Sequence, residues 1–256
     1  MLGWFSPYIF LGARQRGLMS RGLPIFAWHK VAVPPRGSTD PFLFAAPAVL
    51  DRQLGALRAA GFRSLSLSEV AGRAAPDARV VLTFDDGTSD VLANGLPLLL
   101  KHGFQAIQFL VAGHLGGCNE WDVAKGDVAV PLMDELQVRT WLAAGMEIGS
   151  HSLRHRNLNR LDTASAREEI FASKRLLEDR FGVPIRHFCA PYGAWNDRNR
   201  DLVGEAGYET ACTLRFGVNT PATPLLELRR IYPLSSAEMV AKVVHRIGRR
   251  FGRARR

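Results

Sequence analysis

Between residues 24 and 214 the chain repeats one rhythm: a short apolar run, a turn or polar cluster, then a longer stretch with a helical stripe. The short runs fall at residues 24–28 (PIFAW), 79–84 (RVVLTF), 105–111, 146–149, 187–190 and 209–214. Apolar, β-branched runs of this kind suit strands covered on both faces. Between them the spacing predicts helices. Leu50, Leu54 and Leu57 share a face over residues 47–60, with Gly61 as the stop. Further helices are expected over 89–102, closed by Gly103; within 131–145; from the cap Asp162 to Phe181, ended by Gly182; and over about 197–206. Strand and helix in strict turn build parallel βαβ units, either closed as a barrel or open as a doubly wound sheet. In both, the segments that follow the strands gather at one edge, and that edge is where sites form.

At 256 residues, 47% of them apolar, the chain is long enough for one domain with a large core. We divide it into an N-terminal extension at 1–22, the α/β domain at 23–235 and a tail at 236–256. It has no apolar run of about eighteen residues, so no transmembrane helix is expected. The apolar patch at residues 4–11 is followed, not preceded, by Arg14 and Arg16, the reverse of a secretory leader. The expected location is therefore the cytoplasm. Cys118, Cys189 and Cys212 form no close pair and no zinc-ribbon spacing. Of the net charge of +9, seven units come from Lys242 and the six arginines that follow it, so the domain has no broad basic face and no nucleic-acid partner is expected.

Three polar clusters stand just after predicted strands. Thr83-Phe84-Asp85-Asp86-Gly87 sets two carboxylates side by side, an arrangement that a bound cation relieves; an Asp-Gly turn with a solvated acid is the plainer reading. His151 and His155 are four apart, a spacing that puts both on the same side of a helical turn, as metal ligands or as two surface histidines. Two histidines and one carboxylate with open positions is a catalytic metal arrangement. The third cluster is Cys189-Ala190-Pro191-Tyr192-Gly193, by itself a strand ending in a turn.

Taken together and in this order, the clusters resemble the polysaccharide deacetylases of the NodB-homology group, carbohydrate esterase family 4. TFDDG matches the family's first motif, HSLRH its H-[ST]-x-x-H motif, and CAPY its R-x-P-Y motif without the Arg. The resemblance extends over about residues 23–214. WHKV near the start and GGCNEWD at 116–122 resemble a subgroup linked to surface-glycan synthesis. The resemblance implies a distorted (β/α) barrel and a hydrolase that removes N-acetyl groups from a hexosamine unit of a polysaccharide or lipid-linked glycan. It also implies the roles: Asp85 as general base, Asp86, His151 and His155 as ligands of a divalent metal (zinc, with cobalt or nickel as alternatives), and the Tyr192 backbone N–H as oxyanion donor. Such a metal lowers the pKa of water, and Asp85 takes the proton as that water attacks the acetyl carbonyl.

Cys189 stands where the family has the Arg that orients the base, so the ionisation of Asp85 is left without its usual cation; a fourth metal ligand and a buried thiol are the two readings of Cys189 itself. The motifs that would supply the general acid are not evident. His29, after the first strand, and His245, in the tail, are the candidates. Asn119, Trp121 and Pro191 are candidates for contact with sugar, by amide hydrogen bonding and ring stacking, against simple packing roles. Over residues 239–251 the apolar side chains fall in one stripe with basic residues mostly opposite. That suits peripheral contact with an anionic membrane at its inner face, or a terminal helix docked on the domain. The alternatives to deacetylation are a catalytically impaired glycan-binding protein that retained the metal pocket, and a deacylase of another amide or a formamide.

Overall fold

The computed structural model describes residue 19, residues 22–70 and residues 78–233. The N-terminal patch at 4–11, His245 and the basic stripe at 239–251 lie outside the described residues. No helix among those described is long and apolar enough to cross a membrane.

Eight strands are described: β1 (Ile25–Trp28), β2 (Arg63–Ser64), β3 (Arg79–Phe84), β4 (Ile107–Leu110), β5 (Glu147–Ser150), β6 (His187–Cys189), β7 (Thr210–Phe216) and β8 (Leu228–Arg230). The sheet runs β1-β3-β4-β5-β6-β7-β8 with every pairing parallel, and β2 pairs with the lower end of β3. The two ends of this path meet. Ala27 N–H donates to Ile231 O (3.0 Å) and Ile231 N–H to Ile25 O (2.7 Å), which closes the sheet into a barrel. The expected distorted (β/α) barrel is therefore the observed fold, and β8, which the sequence reading did not include, is the strand that closes it.

The helices lie between the strands: α1 (Pro47–Ala59), α2 (Leu67–Val70), α3 (Leu96–His102), α4 (Glu120–Val123), α5 (Glu135–Ala143), α6 (Thr163–Phe181) and α7 (Asp197–Glu205). Local chemistry sets their ends. Asp162 caps α6 by accepting from Ser165 N–H, and Gly182 stops it in the left-handed region at φ 67°. The helix expected over 89–102 is less regular, because Pro97 lacks an N–H; a π turn at Val91–Gly95 precedes α3.

Strand periodicity divides the core in two. Ile25, Val81, Ile107, Phe109, Cys189, Cys212 and Leu228 pack together inside the barrel, and Leu67 and Val70 of α2 join them. Their neighbours Phe26, Trp28, Leu82, Phe84 and Phe188 face outward into the larger cluster shared with the helices. The lower barrel is thus filled with apolar side chains, and any chemistry is confined to the upper rim.

Candidate functional site

Along β3 the inward face reads Val81, Thr83 and then Asp85, one residue past the strand. Thr83 donates its hydroxyl to Phe26 O (2.8 Å), and Asp85 N–H donates to Trp28 O (3.0 Å), which fixes the carboxylate at the rim. Asp86 cannot continue in the same direction. It adopts φ 73°, and Gly87 follows at φ 78° with Leu110 so close that a Cβ would lie 3.0 Å from its Cδ2. Two adjacent carboxylates are thereby sent into two different surroundings.

Asp85 meets a cation that the sequence did not announce. On β8, Leu228 faces the barrel interior and Arg230, two residues on, does the same with no solvent exposure. Its guanidinium donates in bidentate fashion to Asp85, Nη1 to Oδ1 at 2.7 Å and Nη2 to Oδ2 at 2.8 Å. It also donates to Thr213 O, to Thr83 Oγ1 and to Cys189 Sγ, each at 3.1 Å. Burial alone would push the Asp85 carboxyl up. The charge and hydrogen bonds of Arg230 outweigh it and hold the group below the usual carboxylate range. Burial pushes the Cys189 thiol well up, so Cys189 remains a small neutral neighbour that leaves room for the guanidinium. His29, at the end of β1, places Nε2 3.8 Å from Asp85 Oδ2.

Asp86 faces the histidines. Its Oδ1 lies 3.5 Å from His151 Nε2 and 3.3 Å from His155 Nε2, and ligand atoms of the three residues all lie within 4.8 Å of one another. All three side chains are buried. Nδ1 of His151 lies 2.7 Å from Cys189 O, an acceptor only, so Nδ1 carries a proton and Nε2 is the nitrogen turned toward Asp86. Burial pushes the His155 imidazole down to about 4, which keeps it neutral, as a ligand must be. For Asp86, burial raises the carboxyl, but the neighbouring histidines, His155 foremost, outweigh it and hold the group below the usual carboxylate range. Two imidazoles and one carboxylate suit a single divalent cation with open positions.

The histidines do not sit on a helix, contrary to the expectation from their spacing. They occupy the loop between β5 and α6, where Ser152 (φ 66°) and His155 (φ 55°) are both left-handed. Among the described residues, five non-glycine residues have positive φ. Four of them, Asp86, Ser152, His155 and Tyr192, belong to this site, so backbone strain is concentrated where the polar groups converge. Ser152 Oγ accepts from His155 N–H (3.1 Å), and the fully buried Glu169 of α6 accepts from Arg154 N–H (2.8 Å) and from its guanidinium (3.3 Å). Glu169→Ala is expected to lower stability by about 2 kcal/mol, the worth of a buried charged acceptor. Chemical denaturation, read at its midpoint with the slope unchanged, measures this.

After β6 the chain turns through Pro191, Tyr192 (φ 58°) and Gly193 (φ 64°), and a Cβ at Gly193 would lie 2.3 Å from Leu214 Cγ. The turn brings the Tyr192 ring edge-on to His155, with centroids 4.6 Å apart. Trp121 stacks on the same imidazole at 4.2 Å and 25°.

The sequence profile of the family described as polysaccharide deacetylase matches residues 72–211, more than half of the chain. The chain belongs to the polysaccharide deacetylase family. Among curated relatives, YxkH of Bacillus subtilis is 23% identical over 214 residues, covering 82% of this chain and 70% of that protein. The chitooligosaccharide deacetylase of Bradyrhizobium sp. is 28% identical over 122 residues, and this chain spans only 47% of its length. Among solved structures, the Streptococcus pyogenes deacetylase PplD superposes with a TM-score of 0.73 at 24% identity, covering 86% of this chain and 97% of that one. IcaB from Ammonifex degensii gives 0.72 at 22% identity, covering 88% and 97%. The family is one of hydrolases that act on carbon–nitrogen bonds other than peptide bonds, and the expected enzyme class stands with it.

In this polysaccharide deacetylase, Asp85, Asp86, His151, His155, Tyr192 and His29 all converge on one end of the barrel. Two of the sugar-contact candidates do not fit that role. Asn119 is fully buried, and its amide accepts from Val130 N–H (2.6 Å) and donates to Val128 O (3.3 Å), so it staples its own loop. Pro191 is buried beneath the turn that carries Tyr192. Trp121 is half-buried beside His155, and its Nε1 is buried without a hydrogen-bond partner among the described residues, so it is the ring that stays in the site wall. Arg230 is the residue that the sequence reading missed. Its one available signal is the alternation of Leu228, Arg229 and Arg230, which puts a charge on the face of an apolar residue.

Proposed function

We propose that the chain removes N-acetyl groups from a hexosamine unit of a polysaccharide or a lipid-linked glycan. One observation carries the reading: a carboxylate kept ionised by Arg230 stands beside a separate carboxylate-and-two-histidine group, both at the barrel rim. Asp86, His151 and His155 would hold a divalent cation, zinc first, with cobalt or nickel as alternatives. When bound there, the cation supplies a lowered pKa for water and polarises the acetyl carbonyl.

The chain's own groups then divide the remaining work. Asp85, ionised at neutral pH, accepts the proton of the attacking water. The Tyr192 backbone N–H, carried on a left-handed turn, donates to the oxygen that becomes negative. His29 Nε2, 3.8 Å from Asp85, is placed to return a proton to the leaving amine, which must be protonated before it departs. Trp121 offers a ring for stacking on the sugar. The rival reading, a glycan binder with an impaired site, drew on the missing Arg of the third motif and on the unclear general acid; the Arg230 pair with Asp85 weakens the first of these supports.

The test is acetate release from N-acetylated chito-oligosaccharides and a panel of other acetylated sugars, by protein stripped with a chelator and then reloaded with zinc, cobalt or nickel. Activity should vanish on stripping and return with metal. Stoichiometric metal with no turnover on any member of the panel would favour the glycan binder; turnover of formamides alone would favour the other deacylase.

For the tail, the apolar stripe at 239–251 with its opposed basic residues supports peripheral contact with an anionic membrane. Full-length protein should co-sediment with phosphatidylglycerol vesicles, and a chain ending at residue 235 should not. Equal sedimentation of the two counts against membrane contact through the tail.

A further inference from the structure

The two histidines turn the same nitrogen toward Asp86, but different partners hold them. His151 is fixed by a backbone carbonyl at 2.7 Å from its Nδ1. Nδ1 of His155 faces a side chain instead, the Tyr192 hydroxyl at 3.1 Å. A hydroxyl both donates and accepts, and a tyrosine that is nearly half exposed can leave, so the position of that phenol matters.

Lys125 holds it there. From the segment that follows α4, its Nζ reaches the Tyr192 hydroxyl at 2.7 Å and lies 4.3 Å above the centre of the ring. An ammonium can only donate, so one lone pair of the phenol oxygen is taken by Lys125. The phenol's second lone pair remains within reach of a proton on His155 Nδ1. Asp122 Oδ1, 3.6 Å from Lys125 Nζ, offsets the added positive charge near a cation site. From the same short stretch Trp121 stacks on the His155 ring, so one loop grips this imidazole twice, directly by stacking and indirectly through the phenol.

We propose that Lys125 and the Tyr192 hydroxyl are positioning residues of the metal site: Lys125 fixes the phenol, and the phenol oxygen accepts the Nδ1 proton of His155, so that this ring offers Nε2 to a divalent cation. The proposal rests on the reading that Asp86, His151 and His155 hold such a cation, and it makes metal affinity depend on a lysine outside the ligand set. Partners of this kind fix ring orientation and ligand basicity, and their loss costs about 10–100-fold in affinity.

Zinc dissociation constants of the full chain, measured by competition with a chromogenic chelator, provide the test, with the visible absorption of cobalt-loaded protein as a second readout of ligand geometry. Tyr192→Phe should raise the zinc dissociation constant about 10–100-fold and alter the cobalt bands. Lys125→Met should move both in the same direction by less, because the phenol remains but is no longer held. Lys125→Arg, which keeps a cationic donor, should stay near wild type. A role confined to loop stability would move the melting temperature and leave the zinc constant alone. Wild-type zinc affinity and unchanged cobalt spectra in both Tyr192→Phe and Lys125→Met overturn the proposal while the metal site stands. A wild-type chain that binds neither metal overturns the metal site and this proposal together.

Discussion

Asp85→Asn is expected to lower kcat for deacetylation by about 10²–10⁴-fold, the usual worth of a general base, while zinc content stays at the wild-type level. The two halves of this expectation come from the separation of the adjacent carboxylates. Asp85 continues the inward face of β3 and is bound by Arg230; Asp86 turns away at φ 73° and faces the histidines. Asn keeps the shape and one acceptor for Arg230 but cannot take a proton from water. Metal analysis and single-turnover acetate release on the same preparation separate the two functions. Loss of zinc along with activity would mean that Asp85, not Asp86 alone, is a ligand.

Arg230→Met should act through the same carboxylate from the far end of the chain. It removes the cation that outweighs burial, so the Asp85 carboxyl, now governed by desolvation, titrates above its usual range. The base is active only when ionised. The acid limb of kcat/KM therefore moves to higher pH, and activity at neutral pH falls as more of the base is protonated. A buried carboxylate left without its partner also costs about 3–5 kcal/mol of stability, which thermal or chemical unfolding will register. A second substitution distinguishes loss of charge from loss of packing. Cys189 donates nothing essential to the pair and stands 3.1 Å from the guanidinium, in the position where the family motif carries Arg. Cys189→Arg in the Arg230→Met background should return the acid limb toward its wild-type position. An unchanged limb in Arg230→Met would show that some other group controls the ionisation of Asp85.

The barrel was legible because it depends on local patterns. Apolar β-branched runs, helix stripes, the Asp162 cap and the Gly182 stop each act within a few residues, and the clusters after β3, β5 and β6 meet because parallel strands share one end. What the sequence did not disclose depends on contacts across the chain. Arg230 is 145 residues from Asp85, and β8 is three residues long; it becomes a strand by pairing with β7 and meeting β1 where the barrel closes. The spacing of His151 and His155 read as a helical turn, but Glu169, Ser152 and two left-handed residues hold it as a loop. Asn119 read as a sugar-binding amide because composition does not show that its hydrogen bonds are already taken by the backbone of its own loop. Cys189 looked like a defect in a motif, whereas the small thiol makes space for a guanidinium from another strand.

The proposed deacetylation through a metal held by Asp86, His151 and His155 can be tested in one comparison. The most direct measurement compares acetate release from N-acetylated chito-oligosaccharides by zinc-loaded wild type and His151→Ala, with bound zinc determined on both. Wild type is expected to release acetate with one zinc per chain, and His151→Ala to show neither zinc retention nor release. Acetate release by His151→Ala at the wild-type rate, or by wild type stripped of all metal, would contradict it.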